Sequence, residues 1–252
     1  MGHFYVWRLD KWKYVGVLFL ITFVLGILLY TTQGNLLFVF SNQETAVLVK
    51  GNDQESDIAL TFNISWGEER AHHILEELKN HQVRATFFVS GEWAERHPDI
   101  VKKIVEDEHE VGMLGYRYKS YIEQDITQVR KDLNYAKDIF KKLELPDINL
   151  LRTPNGHFNE EVIDLAEKLD LKVAHWNVNP HDWKNPGVDQ IVDTVMKETS
   201  NGDIILLHAS DSVKQTRDAL KTILPGLKNK GFSFVTISEM MNQAKAKAKL
   251  VE

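Results

Sequence analysis

The chemistry open to this chain is bounded by ten histidines and no cysteine. Without cysteine there is no disulfide, no thiolate metal site and no cysteine nucleophile. Glu68, Glu69, His72 and His73 stand at i, i+3 and i+4 spacing at the start of a helical stretch. Such side chains share a face and could hold a cation, although a solvated helix face is the commoner meaning of that pattern. Glu69 could also serve as a base, but nothing in the sequence orients it. Ser65 and Ser210 could serve as nucleophiles near His208, yet neither sits in a Gly-x-Ser-x-Gly elbow. Arg152 opens RTPNG (152–156), Asp182 and Trp183 close NPHDW (179–183), and Leu206 and His208 frame LLH (206–208). Singly, these read as an ion-pair arginine, a turn aspartate, a core aromatic and a core histidine. Of these, Arg152 and His208 stand near the polar ends of apolar runs that recur along the chain.

Those runs are the elements that must position the polar residues. They are IALTFNI (58–64), ATFFVS (85–90), EVGML (110–114), NLLRTP (149–154), KVAHWNV (172–178), DIILLHA (203–209) and FSFVTI (232–237). Amphipathic stretches follow them, with Ala71, Ile74, Leu75 and Leu78, or Val162, Leu165, Ala166 and Leu169, at helical spacing. Near-continuous apolar strands between helices predict a parallel sheet covered on both faces. Seven βα units suit a doubly wound sheet or a barrel, and periodicity does not choose between them. In both, ligands bind at the C-terminal ends of the strands. Those ends here carry Asn63, Ser90, Thr153, Asn155, Asn177, Asn179, His208 and Ser210.

The N-terminal part differs in kind. Residues 14–32 carry no charge and are nearly long enough to cross a bilayer as a helix. Arg8, Lys11 and Lys13 precede this segment, and no Lys or Arg follows until Lys50. The positive-inside rule then puts residues 1–13 in the cytoplasm and the main domain outside the membrane. No small-x-small cleavage site follows Tyr30, which favours an uncleaved anchor over a signal peptide. Residues 33–57 form a spacer, with short strands expected at 36–40 and 45–49, and residues 58–252 form the domain. A formal net charge of -6 without a basic face argues against a nucleic-acid partner.

In order, these strand ends resemble the motifs of the polysaccharide deacetylases, the family that also contains the NodB chitooligosaccharide deacetylases. The likeness spans about residues 58–241. Within the family TFNISWGEER (61–70), SGEWAERHPDIV (90–101), GYRYKSY (115–121) and LLHASDSVKQT (206–216) are most similar to the sporulation-associated branch called PdaB. The resemblance implies a distorted (β/α) barrel of about seven strands. It also implies a zinc-like cation held by an Asp-His-His triad that polarises an acetamide carbonyl and activates water. An Asp base and a His acid would complete the site.

Carried over residue by residue, the resemblance is incomplete. The base position is Asn63, whose amide has no basic lone pair. The three metal positions are Ile64, Leu114 and Tyr118, none a strong ligand. Arg152 matches the base-positioning arginine, Asp182 the partner of the catalytic histidine, and His208 that histidine. Trp183 and Leu206 match the acetyl pocket. No cofactor is expected, against a family norm of a divalent metal. The implied role is a membrane-anchored, glycan-directed protein of the spore or cell envelope with a degenerate site, its partner peptidoglycan or a related N-acetylated glycan. The alternative is an active peptidoglycan N-deacetylase with a rearranged site.

Overall fold

The computed structural model describes residues 22–23 and 47–250, with side chains up to residue 243. The expected anchor at 14–32 and the expected strand at 36–40 lie outside the described residues, apart from helical Thr22 and Phe23. Among the described residues no helix is long and apolar enough to cross a membrane.

One compact unit spans Thr45–Glu252. Its elements alternate from the start: β1 (Asp57–Ile64), α1 (Glu69–Asn80), β2 (Thr86–Val89), α2 (Gly91–Arg96), α3 (Pro98–Glu106), β3 (Glu110–Met113) and α4 (Ile126–Lys142). Then come β4 (Leu150–Leu151), α5 (Glu160–Lys168), β5 (Lys172–Val173), α6 (Val188–Glu198), β6 (Ile204–His208), α7 (Thr216–Asn229), β7 (Ser233–Phe234) and α8 (Ile237–Leu250). The helices follow their apolar faces: α1 buries Ala71, Ile74, Leu75 and Leu78, and α5 buries Val162, Ile163, Leu165 and Ala166. Each fully buried aliphatic side chain contributes roughly 1.5–3 kcal/mol.

All strand pairs are parallel, in the order β5-β4-β3-β2-β1-β6, with β7 also on β1. A parallel bridge between Val178 and Ile205 joins the segment after β5 to β6 and closes the ring. The fold is therefore a distorted, seven-stranded parallel α/β barrel. Several strands are shorter than their apolar runs, for local reasons. After β4 the chain enters a 3-10 turn at Pro154, which has no N–H to give a ladder. After β5, Ala174 bridges Leu48. Leu48 donates to the Val173 carbonyl at 2.9 Å and accepts from His175 N at 2.7 Å. Residues 47–57 of the expected spacer are thus built onto the barrel, and the Lys50–Asp203 ion pair at 2.8 Å ties them down.

Alternation along β1 creates two cores. Ile58, Leu60, Phe62 and Ile64 face the large core beneath the helices. Ala59 joins a smaller cluster with Phe88, Leu114, Leu150, Ala174 and Ile204, which fills the barrel bore. The bore is tight: a Cβ on Gly112 would lie 2.7 Å from the Phe88 ring, so only glycine fits there.

Candidate functional site

The polar top of the bore is built around Arg152. It follows β4 and is completely buried. Its Nη1 donates to Thr61 Oγ1 at 2.9 Å and Asn63 Oδ1 at 3.1 Å. Its Nε donates to the Ala174 carbonyl at 3.2 Å and Nη2 to the His175 carbonyl at 2.8 Å. The guanidinium lies 4.1 Å above the centre of the Phe88 ring and 5.3 Å from that of Trp176. These four acceptors are all neutral oxygens. Burial pushes the Arg152 guanidinium well below its usual range, to about 9, and none of these acceptors is a carboxylate that would oppose the shift.

Across the β1–β6 ladder Asn63 is the register partner of His208, which brings β1 and β6 chemistry to one point. His208 is held from behind by the fully buried Asp182, in a 3-10 turn at Asp182–Lys184. Asp182 Oδ1 sits 2.8 Å from His208 Nδ1, while Oδ2 accepts from His208 N at 2.8 Å and Thr216 Oγ1 at 2.7 Å. Left-handed residues flank the turn, His181 at φ 54° and Asn185 at φ 53°. A carboxylate on Nδ1 fixes that nitrogen as the donor and leaves Nε2 free to exchange hydrogen bonds or a proton. The pair could orient a bound amide or give a proton to a leaving amine.

Asn63 and His208 line a cleft of about 440 Å³ with Tyr118, Leu206, Trp183, Trp176, Asn155 and Ser210 among others. The structure therefore brings Asn63, Tyr118, Trp183, Leu206 and His208 to one cleft, with Arg152 and Asp182 behind it. The Tyr118 hydroxyl faces the Asn63 carboxamide and the Asn155 backbone amide, and burial raises its pKa above the usual 10.0. With Oδ1 of Asn63 turned to Arg152, the NH2 group faces Tyr118. Trp183 stands at the mouth, half-exposed, with Lys184 Nζ 5.1 Å from the ring centre.

Two of the positions expected to carry metal ligands lie elsewhere. Ile64 is fully buried in the large core, on the face of β1 opposite Asn63. Leu114 is fully buried in the bore cluster with Phe88 and Leu150. Zinc wants at least three strong N, S or carboxylate donors. Asn63, Tyr118, Leu114 and Ile64 do not form that set, so the residues present do not fit the family's cation. Among the described residues no cluster of three or more His, Asp or Glu side chains could hold a metal ion. Glu68 instead faces His97 Nδ1 at 3.4 Å, and Ser210 Oγ accepts from Ser65 N at 3.3 Å.

Sequence reasoning placed Asn155 at a strand end without its left-handed turn, and it did not single out Trp176. Trp176 stacks on His175 with centroids 3.9 Å apart and 10° between planes. Gly156 makes room for it, since a Cβ there would lie 2.3 Å from the indole. Asn155, at φ 58°, turns its backbone N–H to Tyr118. An Asn-Gly pair after a proline is the available signal for such a left-handed turn.

This constellation has known counterparts. A family model described as Polysaccharide deacetylase matches residues 50–174. A peptidoglycan-N-acetylglucosamine deacetylase of Bacillus cereus is 34% identical over 194 residues, 75% of this chain and 90% of the relative. The uncharacterized protein YlxY of Bacillus subtilis is 28% identical over 198 residues, or 79% of this chain, which spans only 61% of YlxY. The crystal structure of BA3943 from Bacillus anthracis, described as a CE4 family pseudoenzyme, superimposes with a TM-score of 0.74 at 30% identity, over 78% of this chain and 69% of that one. A BA3943 mutant is described as having restored enzymatic activity. Barrel, strand-end cleft and a relative matched over nine-tenths of its length agree: the chain belongs to the polysaccharide deacetylase family.

Proposed function

We propose that this protein binds the glycan strands of peptidoglycan in a deacetylase cleft that no longer carries out the metal-dependent reaction. The observation that carries the reading is Asn63. It accepts from Arg152 at 3.1 Å, where the family places its base, and a carboxamide cannot take a proton from water. Among the described residues, no carboxylate lines the cleft. What remains suits binding: His208 Nε2 and the Asn63 NH2 group as hydrogen-bonding groups, Trp183 and Tyr118 as aromatic faces. That BA3943 is described as a pseudoenzyme of the same family supports the reading. The uncharged segment 14–32 adds an uncleaved anchor, with the barrel outside the cytoplasmic membrane. The likeness of 61–70 and 206–216 to the sporulation-associated branch points to the spore envelope as the place of action.

The second reading is a working peptidoglycan N-deacetylase, favoured by the retained His208–Asp182 pair at 2.8 Å. The two separate in one experiment. Purified protein is incubated with peptidoglycan and with N-acetylglucosamine oligomers, and both acetate release and binding are followed with and without a chelator. Binding that is insensitive to chelator, without acetate release, is expected. Acetate release abolished by chelator overturns the proposal in favour of the second reading.

A further inference from the structure

The barrel mouth carries more exposed aromatic surface than the cleft uses. Trp66 follows β1 and is 67% exposed. Its exposure does not come from a loose loop. Ser65 N donates to Ser210 Oγ at 3.3 Å, and Asp211 N donates to the Trp66 carbonyl at 3.2 Å. The Asp211 carboxylate accepts from Glu68 N at 3.0 Å and Arg70 N at 2.8 Å. The Trp93 indole donates to the Gly67 carbonyl at 2.5 Å. Gly67 has φ +75° and a Cβ there would lie 2.2 Å from Asp211 Cγ, so no other residue fits this turn. A pinned backbone thus holds a large apolar ring out in water.

Beside Trp66 lies a second groove of about 500 Å³. Ser65 lines both this groove and the main cleft, so the two adjoin. Its walls are polar and paired: Arg96 Nη2 donates to Glu92 Oε1 at 2.6 Å, and Glu68 faces His97. An aromatic face flanked by hydrogen-bond donors and acceptors matches a pyranose ring, which has an apolar face and an equatorial belt of hydroxyls. The carboxylates of Glu68, Glu92 and Asp211 disfavour a phosphate or other anion there.

We propose that this groove is a second sugar subsite, with Trp66 as its stacking platform, so that the protein holds a polymeric neutral glycan across both grooves. The inference rests on the glycan-binding reading above and adds polymer length as a requirement. The test uses the full-length protein in neutral detergent and β-1,4-linked N-acetylglucosamine dimer and hexamer, titrated calorimetrically. Wild type binds the hexamer more tightly than the dimer. Trp66→Ala weakens the hexamer by about three- to tenfold, the scale of one lost aromatic contact, and leaves the dimer within about twofold. Trp66→Phe retains most of the hexamer affinity, and circular dichroism confirms that both variants are folded. Equal weakening of dimer and hexamer places Trp66 in the first cleft and overturns the proposal. An unchanged hexamer affinity overturns it while leaving the first cleft intact. A wild type that binds peptidoglycan but neither oligomer overturns this inference alone, and one that binds none of the three removes the glycan reading and this inference with it.

Discussion

Asn63→Asp is the most informative single change, because Arg152 is fully buried and its four acceptors are all neutral oxygens. The new carboxylate replaces a carboxamide that already lies 3.1 Å from Nη1. Unit charges about 4 Å apart attract by about 4 kcal/mol at an effective dielectric of 20. Against this stands the desolvation of a carboxylate at a position only 4% exposed. In a newly built pair both ions lose their water; here the guanidinium is already desolvated, so only the carboxylate's share is new. The net gain is on the order of 1–3 kcal/mol, the size of a hydrogen bond to a charged group. Tyr118 does not oppose the change, since its hydroxyl can turn from accepting to donating.

The sign with pH follows from the same pair. Arg152 holds the new carboxyl below its unfolded value of about 3.9, so the gain is complete above that pH and is lost as pH falls through the lower, folded value. Thermal unfolding followed by circular dichroism at pH 7 should show a rise of about 2–4 °C per kcal/mol. The difference from wild type should shrink as the pH is lowered toward 3. An unchanged or lower midpoint at pH 7 would falsify the account of Arg152 as an uncompensated cation. A gain that ignores pH would point to packing instead.

Asp182→Asn leaves three donors facing a group that can no longer match them all, and should cost about 3–5 kcal/mol; a midpoint in urea within error of wild type contradicts the role assigned to that carboxylate. His109 accepts from Ala85 N at 3.3 Å and packs on Phe87 with centroids 5.3 Å apart, and its Nε2 has no partner among the described residues. Burial lowers its pKa to about 4. Its folded value thus lies below its unfolded one, and up to about 3 kcal/mol of stability should be lost as pH falls from about 6.5 to 4. NMR titration of the ring checks this, and a midpoint near 6.5 refutes it. Ile64→Asp should destabilise the fold by several kcal/mol without adding zinc affinity, because the carboxylate would enter the large core. Adding it to an Asn63→Asp, Leu114→His, Tyr118→His variant and titrating zinc decides the point: tighter binding at unchanged stability would show that Ile64 can turn toward the cleft.

The barrel was legible because a parallel strand buried on both faces reads as an apolar run, and all seven runs hold a strand. Strand length was less legible. The run at 172–178 leaves β5 after Val173, pairs with Leu48 and rejoins the ring at Val178, and these partners lie far away in sequence. The gathering of Asn63 and His208 followed from strand-end position alone, and their ladder register shows why. Facing was the harder matter. Asn63 and Ile64 are neighbours in a motif, yet a strand sends neighbours to opposite faces, and Ile64 goes to the helices. The second groove left no trace in periodicity, because Trp66 sits in a turn whose shape depends on Asp211, 145 residues from Trp66 itself.

The altered residues also make sense as a set. A carboxamide at 63 can point its oxygen to Arg152 and its NH2 group to Tyr118, and the tyrosine hydroxyl can accept it. An imidazole at 118 with Asn63 unchanged would have to accept from that NH2 group, leaving it poorly placed to bind a cation. An aspartate at 63 with Tyr118 unchanged restores the ion pair, while the phenol still stands where a ligand belongs. Neither change alone therefore produces turnover: the imidazole gains no free ligand atom, and the aspartate adds the ion pair only. Residues sharing one hydrogen-bond network are not additive. Acetate release should emerge only when position 63 and the cation-facing side chains change together. Appreciable release by Asn63→Asp alone, assayed with added zinc, would show that the cleft already holds a usable set of donors and would refute this coupling.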